Sequence, residues 1–140
     1  MILKSCTTYG NGYTVDSINN ANADHPWHSI NRNNEWISFE FTEPTIVNGI
    51  RYKGDDWADQ LPDNFYFEYS IDGQQYSSLH TGRGANNKLW QSYIFSQRSM
   101  NVKYFKWTMI NSFKTVFVIK DLELLVCAES NNENFFKQNE

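Results

Sequence analysis

Apolar and polar residues alternate in short runs along most of this chain. Ile37, Phe39 and Phe41 alternate with Ser38 and Glu40, Ile46, Ile50 and Tyr52 share one face of the next run, and Phe65, Phe67 and Tyr69 alternate with Glu68 and Ser70. Successive side chains of an extended chain point to opposite faces, so each run reads as a half-buried strand. Phe105, Trp107 and Met109 repeat the pattern against Lys106 and Thr108, and Leu122, Leu124 and Val126 form the last stripe. Phe117 and Ile119 fall out of phase with Leu122, which predicts a bulge near Lys120 and Asp121. Helical periodicity is not seen.

Turn signals separate the runs: Thr42-Glu43-Pro44, Asp72-Gly73 and Gly82-Arg83-Gly84. Short strands at this spacing predict an all-β, antiparallel sandwich or barrel. Residues 10–34, rich in Asn and Gly, and 54–63, rich in Asp, stay irregular. The patterned domain covers residues 1–127. The tail 128–140 is polar apart from Phe135 and Phe136 and is expected to be disordered or to serve as a docking segment.

A chain of 140 residues suffices for one domain with one core. Ten Phe, eight Tyr and five Trp exceed what loops require, so rings must fill that core or line a binding surface. The net charge of −4 and twelve scattered Lys and Arg argue against a nucleic-acid partner. No apolar run approaches a membrane span of about 18 residues, so membrane insertion is not expected, and Met-Ile-Leu-Lys lacks the apolar stretch of a secretory signal. Seventeen Asn yield no Asn-x-Ser/Thr acceptor. Cytoplasmic and extracellular settings both stay open, as does the oligomeric state.

Catalysis finds little support. His25, His28 and His80 have no metalloprotease spacing, and neither a Gly-x-Ser-x-Gly elbow nor a Gly-rich phosphate loop occurs. Cys6 and Cys127 bracket the patterned region. If their strands are neighbours, a disulfide would tie the termini at a gain on the order of 4–5 kcal/mol; the alternative is two buried thiols in a reducing compartment.

Trp27-His28-Ser29, then Glu35-Trp36-Ile37-Ser38-Phe39-Glu40-Phe41, then Ile46-Val47-Asn48-Gly49-Ile50-Arg51-Tyr52 follow one another in an order that resembles the discoidin (coagulation-factor type C) family. Phe67-Glu68-Tyr69-Ser70-Ile71-Asp72-Gly73-Gln74-Gln75-Tyr76 looks like the family's hairpin, with Tyr76 in place of the usual Trp, and the terminal cysteines match as well. The resemblance covers about residues 6 to 127 and extends to the related family 32 carbohydrate-binding modules. It implies a galactose-binding-like, jelly-roll-like sandwich of about eight strands, with ligands bound by loops at one end.

A sugar site needs an aromatic face for the C–H side of the ring and amides, Arg or carboxylates for its hydroxyls. Trp57, flanked by Asp55, Asp56 and Asp59, is the first candidate platform, whereas Trp27 and Trp90 read as core. Phe113 lies where the resemblance implies a stacking aromatic. Arg51, His28, Asp56, Arg83 and Asn86 are candidate polar partners. The resemblance also implies a structural Ca2+. Its usual Asp falls near Asn19 or Asn20, and Asp24 and Asp121 are the nearby carboxylates, although a hard cation prefers more charge than this.

These features point to a non-catalytic, lectin-like module for a galactose-type glycan. The other reading is an intracellular protein–protein interaction domain of a ciliary or adaptor-type assembly, with reduced cysteines. Anionic-lipid binding is disfavoured by the acidic 54–63 loop.

Overall fold

The computed structural model describes residues 1–95 and 102–127. The expectation for the tail 128–140, with Phe135 and Phe136, lies outside the described residues. The described chain forms β1 (Ile2–Ser5), β2 (Trp27–His28), β3 (Asn33–Lys53), β4 (Pro62–Ser70), β5 (Ser77–Arg83), β6 (Gln91–Ile94), β7 (Val102–Ser112), β8 (Val118–Ile119) and β9 (Asp121–Cys127). All of their pairings are antiparallel. One layer runs β1-β3-β7-β4-β5, and the other sets the second half of β3 between β6 and β9.

β3 thus serves both layers. Glu40 lies opposite Tyr104 and Thr45 opposite Val102, so the register slips across Phe41 to Pro44. Pro44 has no N–H to give a ladder, and the predicted Thr42-Glu43-Pro44 turn is this bend between layers. Phe39, Phe67, Phe105 and Trp107 from one layer meet Val47, Ile50, Tyr52 and Leu122 from the other, all fully buried or nearly so. Trp107 sits 4.6 Å from Tyr52 and 5.7 Å from Phe65, ring centre to ring centre. Trp27, paired with Ile119, closes one side of the sandwich with Phe117.

Three local expectations change. Phe117 and Leu122 differ in phase because β8 and β9 are separate strands broken at Lys120, whose N–H donates to the Lys53 carbonyl, rather than one bulged strand. Val126 at the end of the last stripe is exposed. Trp90 is no core residue: it is half-buried on the outer face, with the Arg51 guanidinium 4.2 Å and the Lys53 ammonium 5.1 Å from its ring centre.

The terminal disulfide is not made, since Cys6 is a free thiol. Its N–H donates to the Trp36 carbonyl and its Sγ accepts from the Trp36 N–H, whereas Cys127 lies opposite Ile46 beyond the bend of β3. A disulfide needs Cα atoms about 4.4–6.8 Å apart. Burial pushes the Cys6 thiol up, and the Glu35 carboxylate adds to the rise. Intact-mass analysis of air-exposed protein is expected to show no intrachain bridge, with the melting temperature indifferent to reductant. A bridged species that melts higher would contradict this.

The β4–β5 turn is set by one carboxylate. Asp72 Oδ1 accepts from the N–H groups of Gln74 and Gln75 at 2.8 and 3.0 Å and from the Ser70 hydroxyl at 3.0 Å, while Gly73 takes φ +80°. The Gln75 and Gln74 N–H groups, then the Ser70 hydroxyl, hold this carboxyl below the usual carboxylate range. A depressed folded-state pKa lends stability that is present above the unfolded value, about 3.9, and is lost as pH falls through the folded one. The melting-temperature gap between wild type and Asp72→Ala is therefore expected to be wide at pH 7 and to narrow as pH drops well below the unfolded value. A gap independent of pH would refute the assignment.

Candidate functional site

Three segments converge at the end of the sandwich where β3 stops. Gly54 leads into a short 3-10 helix, Asp55–Gln60, closed by the Trp57 N–H on the Gly54 carbonyl at 2.9 Å. Ala58 and Leu61 are buried and pull this helix onto the core. Asp56 and Trp57 are left outside, Trp57 being 43 % exposed.

The loop after β5 is pinned at one end to the start of β4 and at the other to this helix. The Gly84 N–H donates to the Asp63 carbonyl at 2.7 Å, and a Cβ on Gly84 would lie 2.1 Å from the Pro62 carbonyl, so only glycine allows this approach. The Lys88 ammonium reaches Asp56 at 2.9 Å, which raises the Lys88 pKa. Gln91 braces the loop by exchanging hydrogen bonds with the Ala85 backbone at 2.8 and 2.5 Å. The segment after β7 joins through the Phe113 N–H on the Leu61 carbonyl, Lys114 with Asp59 at 3.3 Å and Thr115 with Gln60 at 3.0 Å.

The acidic loop is charge-compensated residue by residue. Asp55 pairs with Lys53, Asp56 with Lys88, Asp59 with Lys114 and Asp63 with Arg83. Such exposed pairs add little stability, but they cancel the field that the run of Asp would otherwise cast. Nothing in the local sequence announced these partners, because all but Lys53 and Asp55 are far apart in the chain.

Next to the loops, a groove of about 480 Å³ is lined by Asn64, Phe65, Thr81, Gly82, Arg83 and Ile110. Its size falls within the usual range of small-ligand sites. Gly82 lies directly against the buried Phe65 ring, since a Cβ there would come within 2.7 Å of it. Asn64 is oriented by the Asn111 side chain, which accepts from its N–H and its amide at 3.2 and 3.0 Å. Asn64, Thr81 and Ile110 were missed in the sequence, where no pattern sets them apart from their neighbours.

Of the sequence candidates, Trp57, Asp56, Arg83, Asn86 and Phe113 share this end. Arg51 and His28 are engaged with other partners. Arg51 forks onto Glu123 at 2.8 and 3.1 Å across β3 and β9, and the pairing lowers the Glu123 pKa. His28 lies in β2, its Nδ1 2.7 Å from the Ser29 carbonyl and its ring against Tyr9 and Tyr13.

The family model of the F5/8 type C domain matches residues 3–116. The chain belongs to this family. No curated protein matches its sequence. Solved structures share the fold of this F5/8 type C domain. CpGH89CBM32-5 from Clostridium perfringens, in complex with GalNAc-β-1,3-galactose, superposes with a TM-score of 0.73 at 11 % identity, over 89 % of this chain and 94 % of that one. The family 32 module of C. perfringens NanJ, in complex with galactose, gives 0.71 at 14 % identity, over 88 % and 91 %. Chitosan-binding module 1 from a Paenibacillus sp. IK-5 chitosanase/glucanase gives 0.71 at 12 %, over 89 % and 93 %.

The residues proposed for Ca2+ in this F5/8 type C domain do not fit the ion. No cluster of three or more His, Cys, Asp or Glu able to hold a metal occurs among the described residues. Asn20 Oδ1 accepts from the Asn22 N–H, Asp24 is exposed and Asp121 pairs with Lys53 at 3.7 Å. Where an ion would tie the early loop to the last strand, Asn19 does so itself. Its Oδ1 accepts from the Leu122 N–H at 2.8 Å, its amide donates to the Leu122 carbonyl, and its N–H reaches the Lys120 carbonyl at 3.2 Å. Among the described residues no helix is long and apolar enough to cross a membrane.

Proposed function

We propose that this domain is a non-catalytic carbohydrate-binding module that takes a galactose-type sugar at the loop end. One observation carries the reading: the exposed Trp57 ring shares an end of the sandwich with a groove lined by Arg83, Asn64 and Thr81. An indole face suits the apolar side of a pyranose, and a guanidinium, an amide and a hydroxyl suit its hydroxyls. Pairing every Asp of the loop with a cation removes the repulsion or attraction that would select a charged ligand, which favours a neutral sugar. Phe113 flanks the platform, and Asn86 and Asp56 supply further polar groups. Two structural neighbours, from C. perfringens, were solved with galactose-containing ligands, which supports the sugar class.

A glycan array followed by titration calorimetry tests this. Specific binding is expected, weakened about tenfold or more by Trp57→Ala and also reduced by Arg83→Ala and Phe113→Ala. Array binding that survives all three changes would place the site elsewhere. The protein-interaction reading is favoured by the free Cys6 thiol, which suits a reducing compartment; a folded protein that binds no glycan would turn the search to protein partners.

A further inference from the structure

Four rings gather on the irregular loop before β3, on segments other than those that carry Trp57, Arg83 and Phe113. Tyr9 and Tyr13 meet edge to face at 5.2 Å, Tyr9 lies 4.8 Å from His28, Tyr13 lies 5.7 Å from His28, and His25 stacks on Tyr13 at 4.3 Å with ring planes 8° apart. The backbone fixes them in place. The Tyr9 N–H donates to the His28 carbonyl at 2.8 Å, the His28 N–H to the Tyr13 carbonyl at 3.2 Å, and the Tyr13 N–H to the Gly10 carbonyl at 3.1 Å. Gly12, at φ +89°, turns the loop so that His25 can come back over Tyr13; its missing Cβ would sit 3.5 Å from the imidazole.

This arrangement is poor as a core. Tyr9 is 62 % exposed and His25 is exposed, so little apolar area leaves water. It is better suited as a surface. Contacts with two neighbouring rings hold Tyr9 in one orientation while one of its faces stays open, so a ligand meets it with little further loss of side-chain freedom. His28 Nδ1 faces the Ser29 carbonyl at 2.7 Å and so carries the proton, which leaves Nε2 as an acceptor in the neutral ring. The Tyr13 hydroxyl and the His25 nitrogens add donors and acceptors, and exposed Asp24 beside His25 disfavours a sugar acid.

We propose that Tyr9, Tyr13, His25 and His28 form a second carbohydrate platform, on which a neutral pyranose stacks against Tyr9 and is hydrogen-bonded by the imidazoles. The inference rests on the reading that the domain binds glycans and adds a separate site to it. Two sites on different loops let one domain hold two chains or branches of a polysaccharide, and retention on a multichain surface then exceeds what either site gives alone.

The test is an amide NMR titration with GalNAc-β-1,3-galactose and lactose, in wild type and in Tyr9→Leu, which keeps bulk but removes the ring. Two groups of amides are expected to shift, one around Trp57, Arg83 and Phe113 and one around Tyr9, Tyr13, His25 and His28. Tyr9→Leu should abolish the second group alone and weaken retention on immobilised galactan about fivefold. If Tyr9→Leu spoils the spectrum, His25→Ala, at an exposed position, serves in its place. Shifts confined to the loop end, or a second group untouched by the variants, would overturn the second platform and leave the first standing. An absence of shifts anywhere, in folded protein, would overturn both.

Discussion

Trp107→Ala is expected to lower the unfolding free energy by about 3–5 kcal/mol, the range for emptying a buried aromatic site. The indole is fully buried and touches Tyr52, Phe65 and Phe67 with centroids 4.6, 5.7 and 5.8 Å away, so the cavity would open where the two layers meet. Domains of this kind have about 5–15 kcal/mol in hand, and such a loss takes a large part of it. Trp90→Ala provides the contrast, at about 1 kcal/mol. Its ring is half-buried on the outer face and loses mainly its contacts with Arg51 and Lys53. Urea unfolding of the two variants reads the difference directly. Equal losses would mean that the layers do not meet at Trp107 as described.

The same pair of residues shows what the sequence could and could not disclose. Trp107 sits in a strict alternation with Phe105 and Met109, and period-two patterning reports which face is buried. Trp90 sits at the edge of a loop with no period on either side. Hydrophobicity alone then points to the core, and only the fold reveals that Arg51 and Lys53 from the neighbouring strand cover the ring. The long strands were legible for the first reason. The short ones, β1, β2 and β6, were not, because two to four residues cannot display a period, and the seven-residue β5 escaped because Leu79 is its one apolar residue.

The site was partly legible for a related reason. Trp57, Arg83 and Phe113 stood out as aromatic or basic residues in loops, and rigid sheets do present such loops together. Which loops lock to one another depends on ion pairs between distant positions, such as Lys88 with Asp56 and Lys114 with Asp59. Spacing carries no trace of these. Arg51 is taken up by Glu123 because a strand residue one position from a buried one faces the other way: Tyr52 points into the core and Arg51 outward. The cysteines misled because terminal position in sequence says nothing about register, and β1 runs antiparallel to β3 with Cys6 at the wrong end.

Asn19→Ala is expected to cost about 2–3 kcal/mol. Part is the loss of two side-chain hydrogen bonds to the Leu122 backbone, at about 1 kcal/mol each or somewhat less where water replaces them. The rest comes from φ +61° at this position, a left-handed backbone that Asn tolerates and Ala resists by about 1 kcal/mol. Asn19→Gly separates the two, since glycine accepts the backbone angle but not the bonds, and should cost about 1–2 kcal/mol. In wild type, neither added Ca2+ nor a chelator is expected to move the melting temperature, because the carboxamide oxygen already accepts the Leu122 N–H and Asp121 already faces Lys53. A cation entering here would have to break both contacts with only weak ligands in return, as uncharged amides bind Ca2+ less well than carboxylates. A chelator-induced drop in wild type that Asn19→Ala abolishes would show instead that the amide is a ligand and that the tie between the early loop and β9 is made through metal.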